Sequence, residues 1–474
     1  MAELRKSLGT IQLLSLGAAG VIGTSWIYTN GTYFQKYGAG GMIFGLAIGA
    51  VLATFIAMAY GELASKFPRA GGEVVYGYLG FNRGVAFVGG WLLIGAYLSS
   101  LAFYVTASGM LLSWVWPGME QVRLYTIADT PVHLPVLLFG IAVTVVIFAI
   151  NARGSEIGGR TQVVLFAAMI VLGLALVVVG FAAGSPHNFW PAYAPGAPAA
   201  ADTARFVIPA MTFLTGFSLV AILAEDAKMA PRRLGRTVGL TVVIAATFYC
   251  VVLLASAWVS PWQRTAATEK GTIAAFTAAG FPALGWAAYG IAVLGLFTSF
   301  IALFTASARL MVAMSRAGLF PAAFAKLHPR WGTPVNALAF TMVLALALGW
   351  LGKGAVTWFL DTGGVYVGLA WFIGVASLYR IRRRYPDVRG AYRVRPAWLP
   401  AIGGIAAVGV IVMVLVPGTP IALVWPAEYL ILFAWVLLGT VIYLWVRRRG
   451  TTGGEVTALL GEHSPAALRQ DVRE

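Results

Sequence analysis

The chain has few charged residues for its length. Only 11% of its 474 residues are Asp, Glu, Lys or Arg, whereas 59% are hydrophobic and the mean hydropathy is +0.83. Soluble domains carry about a quarter charged residues, so this composition excludes a soluble globular protein. Apolar runs of about 20 residues, the length of a membrane-spanning helix, recur along the whole sequence. Because lipid cannot satisfy exposed backbone polar groups, these runs predict an all-α polytopic membrane protein.

Cysteine and histidine are also scarce. The single cysteine, Cys250, excludes a disulfide framework within one chain, and its place within an apolar run predicts a small buried hydrophobe. The four histidines fall in or near loops, and the apolar runs contain no His, Asp and Glu cluster. The sequence therefore predicts neither an intramembrane enzyme nor a metal centre, and no cofactor other than a coupling ion.

The apolar runs predict about twelve transmembrane spans. They are expected near residues 11–30, 39–65, 84–115, 132–150, 161–183, 204–226, 236–259, 283–308, 335–352, 356–380, 398–417 and 427–446. Residues 1–450 are expected to form one transmembrane domain. The remainder, residues 451–474, is predicted to be a mobile cytosolic tail with one short helix.

The basic residues lie mostly on one side of the predicted membrane, which explains the net charge of +16. With the N-terminus placed inside, 27 of the 33 Lys and Arg residues fall on the inner side. The positive-inside rule accounts for this asymmetry, so no nucleic-acid partner is needed. It predicts a multi-pass protein of the cytoplasmic (inner) membrane with both termini in the cytosol. Lipid is then the main surface partner, and the chain is expected to be a monomer or homodimer.

Two spans are interrupted by small residues. The first contains GAAGVIGTS, and the sixth contains FLTGFS at Phe213–Ser218. They stand five spans apart, at corresponding positions of two five-span repeats in opposite orientations. Paired interruptions of this kind indicate broken helices around a substrate site at the membrane midplane. The alternative is that the small residues only allow close helix packing.

Four stretches of the sequence resemble the amino acid permeases of the amino acid–polyamine–organocation superfamily. They are GAAGVIGTS, GELASKFPRAGGEVVYGYLG, AEDAKMAPRRLGRTV and ARLMVAMSRAGLFPAAFAKLHPRWGTPVNA. The resemblance implies a five-plus-five inverted repeat with broken helices one and six, and transport by alternating access. The first repeat would cover residues 10–183 and the second 204–380, followed by two further helices within 398–446.

The resemblance also implies a substrate site made largely of backbone. A G-[S/T]-G triplet supplies amides for the substrate carboxylate in the family, and here serine replaces its third glycine. Carbonyls beside the two breaks would receive the ammonium, and an aromatic residue near the second break would form a gate. At the position where members with basic substrates often carry an acid, this chain has serine, which favours a neutral amino acid. The implied residues are Val21, Gly23, Thr24, Ser25, Trp26, Phe213 (the gate), Thr215 and Ser218.

The coupling ion stays open between sodium, proton and none. Proton-coupled relatives can carry a lysine in span five. This chain has Met169 at that position, and its span five contains no lysine. The sodium site of related proteins uses a hydroxyl pair from span eight and nearby carbonyls. The matching residues are Ala19, Ile22, Gly295, Thr298 and Ser299, whose oxygens would suit a hard cation. Alternatively, the two hydroxyls only bond their own helix.

These observations favour a secondary transporter that imports a neutral amino acid, with sodium as the expected coupling ion. The alternative is a proton-coupled or exchange-type permease for an amine, polyamine or cationic amino acid. A transport-inactive sensor is disfavoured because no large soluble domain is present. Among the inner charges, Arg309, Arg316 and Arg330 are expected to reach lipid headgroups rather than bind substrate. Asp361, near the outer end of span ten, is a candidate intramembrane carboxylate.

Overall fold

A computed structural model describes residues 6–127, 130–388, 390–419, 422–448 and 455–460. Of the predicted tail, residues 451–474, only the helix at Glu455–Leu460 belongs to these described ranges. Each predicted span has a helix within a few residues of its expected bounds, apart from the two breaks.

The N-terminal half consists of helices joined by short loops and one small hairpin. Its elements are α1 (Thr10–Ile22), α2 (Trp26–Lys66), α3 (Glu73–Gly80), α4 (Arg83–Ser113), β1 (Arg123–Ile127), β2 (Thr130–His133), α5 (Leu134–Ala152), α6 (Ser155–Ala183) and α7 (Pro186–Phe189).

Among its described residues, the named elements of the C-terminal half are all helices, joined by loops. Its helices are α8 (Ala199–Phe213), α9 (Ser218–Ile222), α10 (Pro231–Val259), α11 (Trp262–Ala266), α12 (Thr272–Ala278), α13 (Pro282–Arg316), α14 (Val335–Gly349), α15 (Gly352–Arg384), α16 (Leu399–Leu415), α17 (Ala427–Arg448) and α18 (Glu455–Leu460).

The helices confirm a polytopic membrane protein. Nine segments of the described chain are long and apolar enough to cross a membrane. The first of them, Thr10–Lys66, contains the first two predicted spans, which meet at a kink where Gly38 has φ 72°. Two shorter apolar helices, α14 and α16, match the ninth and eleventh spans.

The β-hairpin was not predicted from the sequence. Strands β1 and β2 pair antiparallel, with Tyr125 opposite Val132 and Ile127 opposite Thr130. The segment RLYTI is rich in residues that fit a pleated strand. The hairpin precedes α5, which begins at Leu134, so it lies at the end of the bundle opposite the basic loops. We call this end the hairpin face.

The opposite end is called the basic face. It is formed by the loops 67–72, 153–154, 223–230, 317–334, 385–388 and 390–398 and by the helix ends beside them, which together carry most of the described arginines. Helix α1 lies at the centre of the bundle, packed against α6, α10 and α13, and most of its residues are buried. Helix α17 lies at the periphery, with large apolar side chains such as Phe433 and Leu437 exposed, as a lipid-facing helix requires.

Candidate functional site

The first interrupted span breaks where the sequence predicts it. Helix α1 ends at Ile22 and α2 begins at Trp26. Between them Gly23 adopts φ 56° and ψ −160°, a conformation that L side chains rarely take. The Gly23 amide reaches back to the Ala19 carbonyl only at 3.5 Å. The last carbonyls of α1 and the first amides of α2 are therefore available near the middle of the bundle.

The second interrupted span also breaks as predicted. Helix α8 ends at Phe213, a 3-10 turn follows at Thr215–Phe217, and α9 resumes the path at Ser218. The two breaks touch through glycines. A Cβ atom at Gly216 would lie 2.5 Å from the carbonyl group of Gly20, so only glycine permits this approach.

A cavity of about 820 Å³ lies beside the two breaks. Its volume falls in the range of roughly 300–1,000 Å³ typical of small-molecule sites. Helices α2, α4 and α10 contribute uncharged polar and aromatic side chains to its wall. Thr212 of α8 and Gly363 and Gly364 of α15 also line it. The predicted substrate residues that line it are Val21, Gly23, Thr24, Ser25, Phe213 and Thr215, and the cation candidate Ile22 lines it too.

Two predicted substrate residues are not among the described residues that line the cavity. Trp26 is 1% exposed and packs edge-on against the rings of Phe248 and Tyr249. Ser218 is also buried, and its Oγ lies 3.1 Å from the hydroxyl of Tyr97, which does line the cavity. These two side chains therefore support the wall from behind.

Tyr249 joins the two breaks, a role that the sequence did not predict. Its hydroxyl lies 2.7 Å from the Val21 carbonyl oxygen, 2.5 Å from that of Ile22 and 3.3 Å from that of Phe213. One hydroxyl hydrogen can bond fully to only one of these oxygens at a time. The other carbonyls therefore keep lone pairs that this hydroxyl does not use, and Val21, Ile22 and Phe213 all line the cavity. A tyrosine in mid-span is the only signal that the sequence offers for this role.

Four of the five candidate cation ligands form two hydrogen-bonded pairs, and the fifth accepts a hydrogen bond from Tyr249. The Ser299 hydroxyl donates to the Ala19 carbonyl at 2.9 Å, across to α1. The Thr298 hydroxyl donates within its own helix, to the Gly295 carbonyl at 3.1 Å. The Ile22 carbonyl is engaged by Tyr249. The donor set consists of oxygens alone, which fits a hard monovalent or divalent cation.

Helix α13 presses directly on the first break. A Cβ atom at Gly295 would lie 1.9 Å from the Gly23 carbonyl oxygen. The Thr24 hydroxyl donates to the Ala292 carbonyl at 2.6 Å, one turn earlier in the same helix. Ala292, Gly295 and Ser299 of α13 therefore all contact the end of α1 or the unwound segment.

The basic face is closed by buried ion pairs. Arg309 donates two hydrogen bonds to Asp226, at 2.9 and 3.0 Å, and Arg316 donates to both oxygens of Glu225 at 2.8 and 2.9 Å. The expectation that Arg309 and Arg316 reach lipid headgroups is wrong, because both side chains are buried against these carboxylates. Such bidentate pairs fix geometry as well as charge.

A third ion pair closes the same face between α2 and α15. Glu62 accepts hydrogen bonds from Arg382 and from the amide of Val394, and Lys66 lies 3.4 Å away. The N-terminal segment is held there too, since the amides of Ser7 and Leu8 donate to the Asp226 carbonyl. No described residue of the basic-face loops lines the cavity.

The cavity instead extends towards the hairpin face. Its described lining includes Glu120, His133, Glu269 and Asp361, which lie at or near that end of the bundle. The structure is therefore closed at the basic face and open towards the hairpin face. One access route to a midplane site is open while the other is sealed.

Broken helices around a midplane cavity with access from one side define a membrane transporter for small molecules. The chain belongs to the amino acid permease family, whose model matches residues 8–444. It is 27% identical to the branched-chain amino acid permease BcaP of Bacillus subtilis and 24% identical to the methylthioribose transporter of the same organism, with 94% of each chain covered in both cases. It is 29% identical to the chloroplastic cationic amino acid transporter 7 of Arabidopsis thaliana, over 73% of this chain and 61% of that protein.

Proposed function

We propose that this permease imports a neutral amino acid across the cytoplasmic membrane by alternating access, coupled to sodium. The observation that carries the proposal is the pairing of an unwound backbone segment, Gly23–Ser25, with the second break on one cavity wall. By the positive-inside rule the basic face is the cytoplasmic side. The structure then corresponds to the outward-open state of the cycle.

Backbone groups at the breaks suit both charges of an amino acid. The amides of Thr24 and Ser25 lie at the start of α2, where the helix dipole and unpaired N–H groups favour a carboxylate. The carbonyls gathered around Tyr249 suit an ammonium group, because the hydroxyl leaves most of their lone pairs free. A substrate spanning the two breaks would thus be held by main chain rather than by charged side chains.

The side chains around this position favour a neutral substrate. Tyr97, Ser100, Tyr104 and Phe213 line the cavity at the level of the breaks and carry no charge at neutral pH. The branched-chain specificity in the name of the Bacillus subtilis relative agrees with an apolar substrate side chain. A neutral amino acid with an aliphatic side chain is the substrate class we expect.

One observation favours a cationic amino acid or amine as the second candidate. Asp361 lines the cavity, and the described lining residues with a full charge are all acids, with Glu120 and Glu269 completing the set. A cationic side chain pointing towards the hairpin face would meet these carboxylates. Several relatives bear the name cationic amino acid transporter.

Uptake into proteoliposomes tests the substrate class. Labelled leucine should be accumulated, and excess unlabelled valine or isoleucine should reduce its uptake far more than lysine or putrescine does. Stronger competition by lysine and putrescine would replace the neutral substrate by the cationic candidate. Equal inhibition by all of them would contradict both.

The sodium proposal rests on Ser299 and Thr298, and their variants test it. Replacing both with alanine removes two hydroxyl ligands and should abolish the sodium dependence of leucine uptake. Thr144→Ala is the matched control, because Thr144 is a buried hydroxyl that donates only to its own helix, at the Gly140 carbonyl. Wild-type uptake that is unchanged when sodium is replaced by choline would overturn sodium coupling but leave the substrate proposal intact.

A further inference from the structure

A carboxyl group with no role in the proposed substrate or sodium site lies buried at the first residue of α3. Glu73 has 0% of its surface exposed, and neither carboxyl oxygen has a hydrogen-bond partner among the described residues. The polar groups that act on it are its own amide and the Tyr60 hydroxyl. That hydroxyl donates to the Ala370 carbonyl at 3.1 Å. A carboxylate that is buried without a partner loses its hydration, so the neutral acid is favoured here.

The segment before Glu73 is part of the closed basic face. The Ala70 amide donates to Glu225 Oε2 at 3.1 Å, and the Gly71 amide donates to the Ile222 carbonyl at 3.2 Å. The Glu225 carboxylate also holds Arg316. Any movement that opens this face must therefore displace the segment that buries Glu73.

On its other side Glu73 is close to the cavity wall. Tyr97 lies within electrostatic reach of the carboxyl group, lines the cavity and contacts Ser218 through its hydroxyl. Helix α4 approaches through a glycine, since a Cβ atom at Gly89 would lie 3.4 Å from Glu73 Cβ. Glu73 thus connects the sealed face to the helices around the substrate site.

The titratable groups that face Glu73 are tyrosines from three elements: Tyr60 of α2, Tyr76 of α3 and Tyr97 of α4. No Lys or Arg is among the described groups that act on its carboxyl. The cations on the neighbouring elements contact other groups. These contacts are Arg83 with the Gly318 carbonyl, Arg309 with Asp226, Arg316 with Glu225, Arg380 with the Phe81 ring and Arg382 with Glu62.

We propose that Glu73 is a proton-binding site of the transport cycle and that the basic face closes only while its carboxyl group is protonated. On closing, the carboxylate takes one proton from water and becomes a neutral acid. On opening, water reaches the group, which returns the proton and becomes a carboxylate again. This inference rests on the alternating access of the proposed function, but on neither the substrate nor sodium.

The direction of the pH effect follows from burial. In the closed structure burial raises the pKa of Glu73 to about 8, from 4.5 for an unperturbed glutamate. Between these values the closed form binds more protons than a form with hydrated Glu73. Raising the pH through this window therefore shifts the population towards the open basic face, by up to about tenfold per pH unit.

A cysteine reporter at the closed face measures this population without any substrate. Cys250 is replaced with alanine, and Ala221→Cys introduces a thiol in α9, where Ala221 is fully buried near Gly72. The purified protein is labelled with a maleimide from pH 6 to 8. Because thiol reactivity itself rises with pH, each rate is divided by the rate of the same reporter carrying Glu73→Gln.

Glutamine imitates the permanently neutral acid, so the ratio of unsubstituted to Glu73→Gln protein should rise steeply with pH. Asp387→Asn is the matched control, because Asp387 is an exposed acid at the same face, and this variant should keep the full pH response. A ratio that stays flat with pH would overturn the proposal.

Infrared titration of the natural chain replaces this comparison if the glutamine variant fails to fold. It should show one protonated carboxylic acid persisting to about pH 8. Loss of all carboxylic acid bands by pH 6 would overturn the proposal.

Sealed vesicles with separate internal and external pH identify the source of the proton. A reporter that follows the pH of the cavity side alone indicates a proton carried through with substrate, whereas one that follows the cytoplasmic pH alone indicates local exchange. Both outcomes support the site at Glu73, and a response to neither contradicts it. The reporter works in purified protein without an amino acid, so a failure of the substrate proposal is seen separately.

Discussion

The two interrupted helices differ in how the backbone leaves the helix. At the first break Gly23 takes a positive φ, and the chain opens completely between Ile22 and Trp26. At the second break Leu214 stays at φ −95°, and the chain only tightens into a 3-10 turn before α9. The first break thus exposes backbone groups, whereas the second keeps most of its turns.

Because of this difference, glycine is required at the two breaks for different physical reasons. Gly23 is needed for its backbone conformation, since a Cβ atom there would make only ordinary van der Waals contacts, the nearest at 3.7 Å from the Tyr104 hydroxyl. Gly216 is needed for contact, because a Cβ atom there would lie only 2.5 Å from the backbone of Gly20 and Val21. One glycine shapes the site, and the other holds the two broken helices together.

The largest effect is expected from Gly216→Ala. The added methyl group meets main-chain atoms, which cannot turn away as a side chain can, so α1 and α9 must separate. Overpacking of a tight interior costs about 1–3 kcal/mol, and here the shift also distorts the cavity wall. We expect loss of leucine uptake and a lower yield of folded protein, measured by uptake assays and size-exclusion chromatography.

Gly239→Ala is the control for that substitution, because a Cβ at Gly239, within α10, meets nothing within 4 Å. It should fold and transport normally. Normal uptake by Gly216→Ala would contradict the close contact between the two breaks.

The positions of the breaks could be predicted because their cause is local. Small and flexible residues in GAAGVIGTS and FLTGFS weaken a helix wherever it lies, and the span lengths follow from membrane thickness. Thr24 and Phe213 were predicted instead from the resemblance to the permease family, and both line the cavity. The relation between the two five-span repeats stays a prediction.

Side-chain contacts across the bundle could not be predicted from local pattern. Asp226 and Arg309 are 83 residues apart and meet only because α9 and α13 pack together at the basic face. An isolated arginine at the end of a span is ordinarily explained by lipid contact, so the sequence favoured the wrong partner. Trp26 was likewise assigned to the substrate from its position beside the triplet, although its ring points towards Phe248.

An intermediate effect is expected from Gly23→Ala. A positive φ costs an L residue about 1–2 kcal/mol, and no steric clash adds to this cost. The variant should fold with reduced thermal stability, while leucine binding weakens because the amides of Thr24 and Ser25 turn away from the cavity. Thermal unfolding and ligand binding to the purified protein measure the two effects.

The control variant places alanine at another glycine that has a positive φ, away from the cavity. Gly280 has φ 89° in the loop before α13, with nothing within 4 Å of a Cβ atom. Gly280→Ala should lose a similar amount of stability and bind leucine normally. Equal losses of binding in both variants would show that Gly23 acts only through stability.

The smallest effect is expected from Tyr249→Phe, which compares the two breaks most directly because one hydroxyl contacts both. The hydroxyl lies 2.5 and 2.7 Å from carbonyls of the first break but 3.3 Å from that of the second. Its removal costs one buried hydrogen bond, about 1 kcal/mol, and this loss falls mainly on the first break. Hydrogen–deuterium exchange should therefore accelerate at residues 20–26 and change little at residues 213–218.

Tyr289→Phe, which removes a hydroxyl bonded to the Leu111 carbonyl, should leave both segments unchanged. Equal acceleration in both segments would mean that Tyr249 holds the two broken helices as one unit, and the contrast between an opened and a tightened break would then not extend to their dynamics.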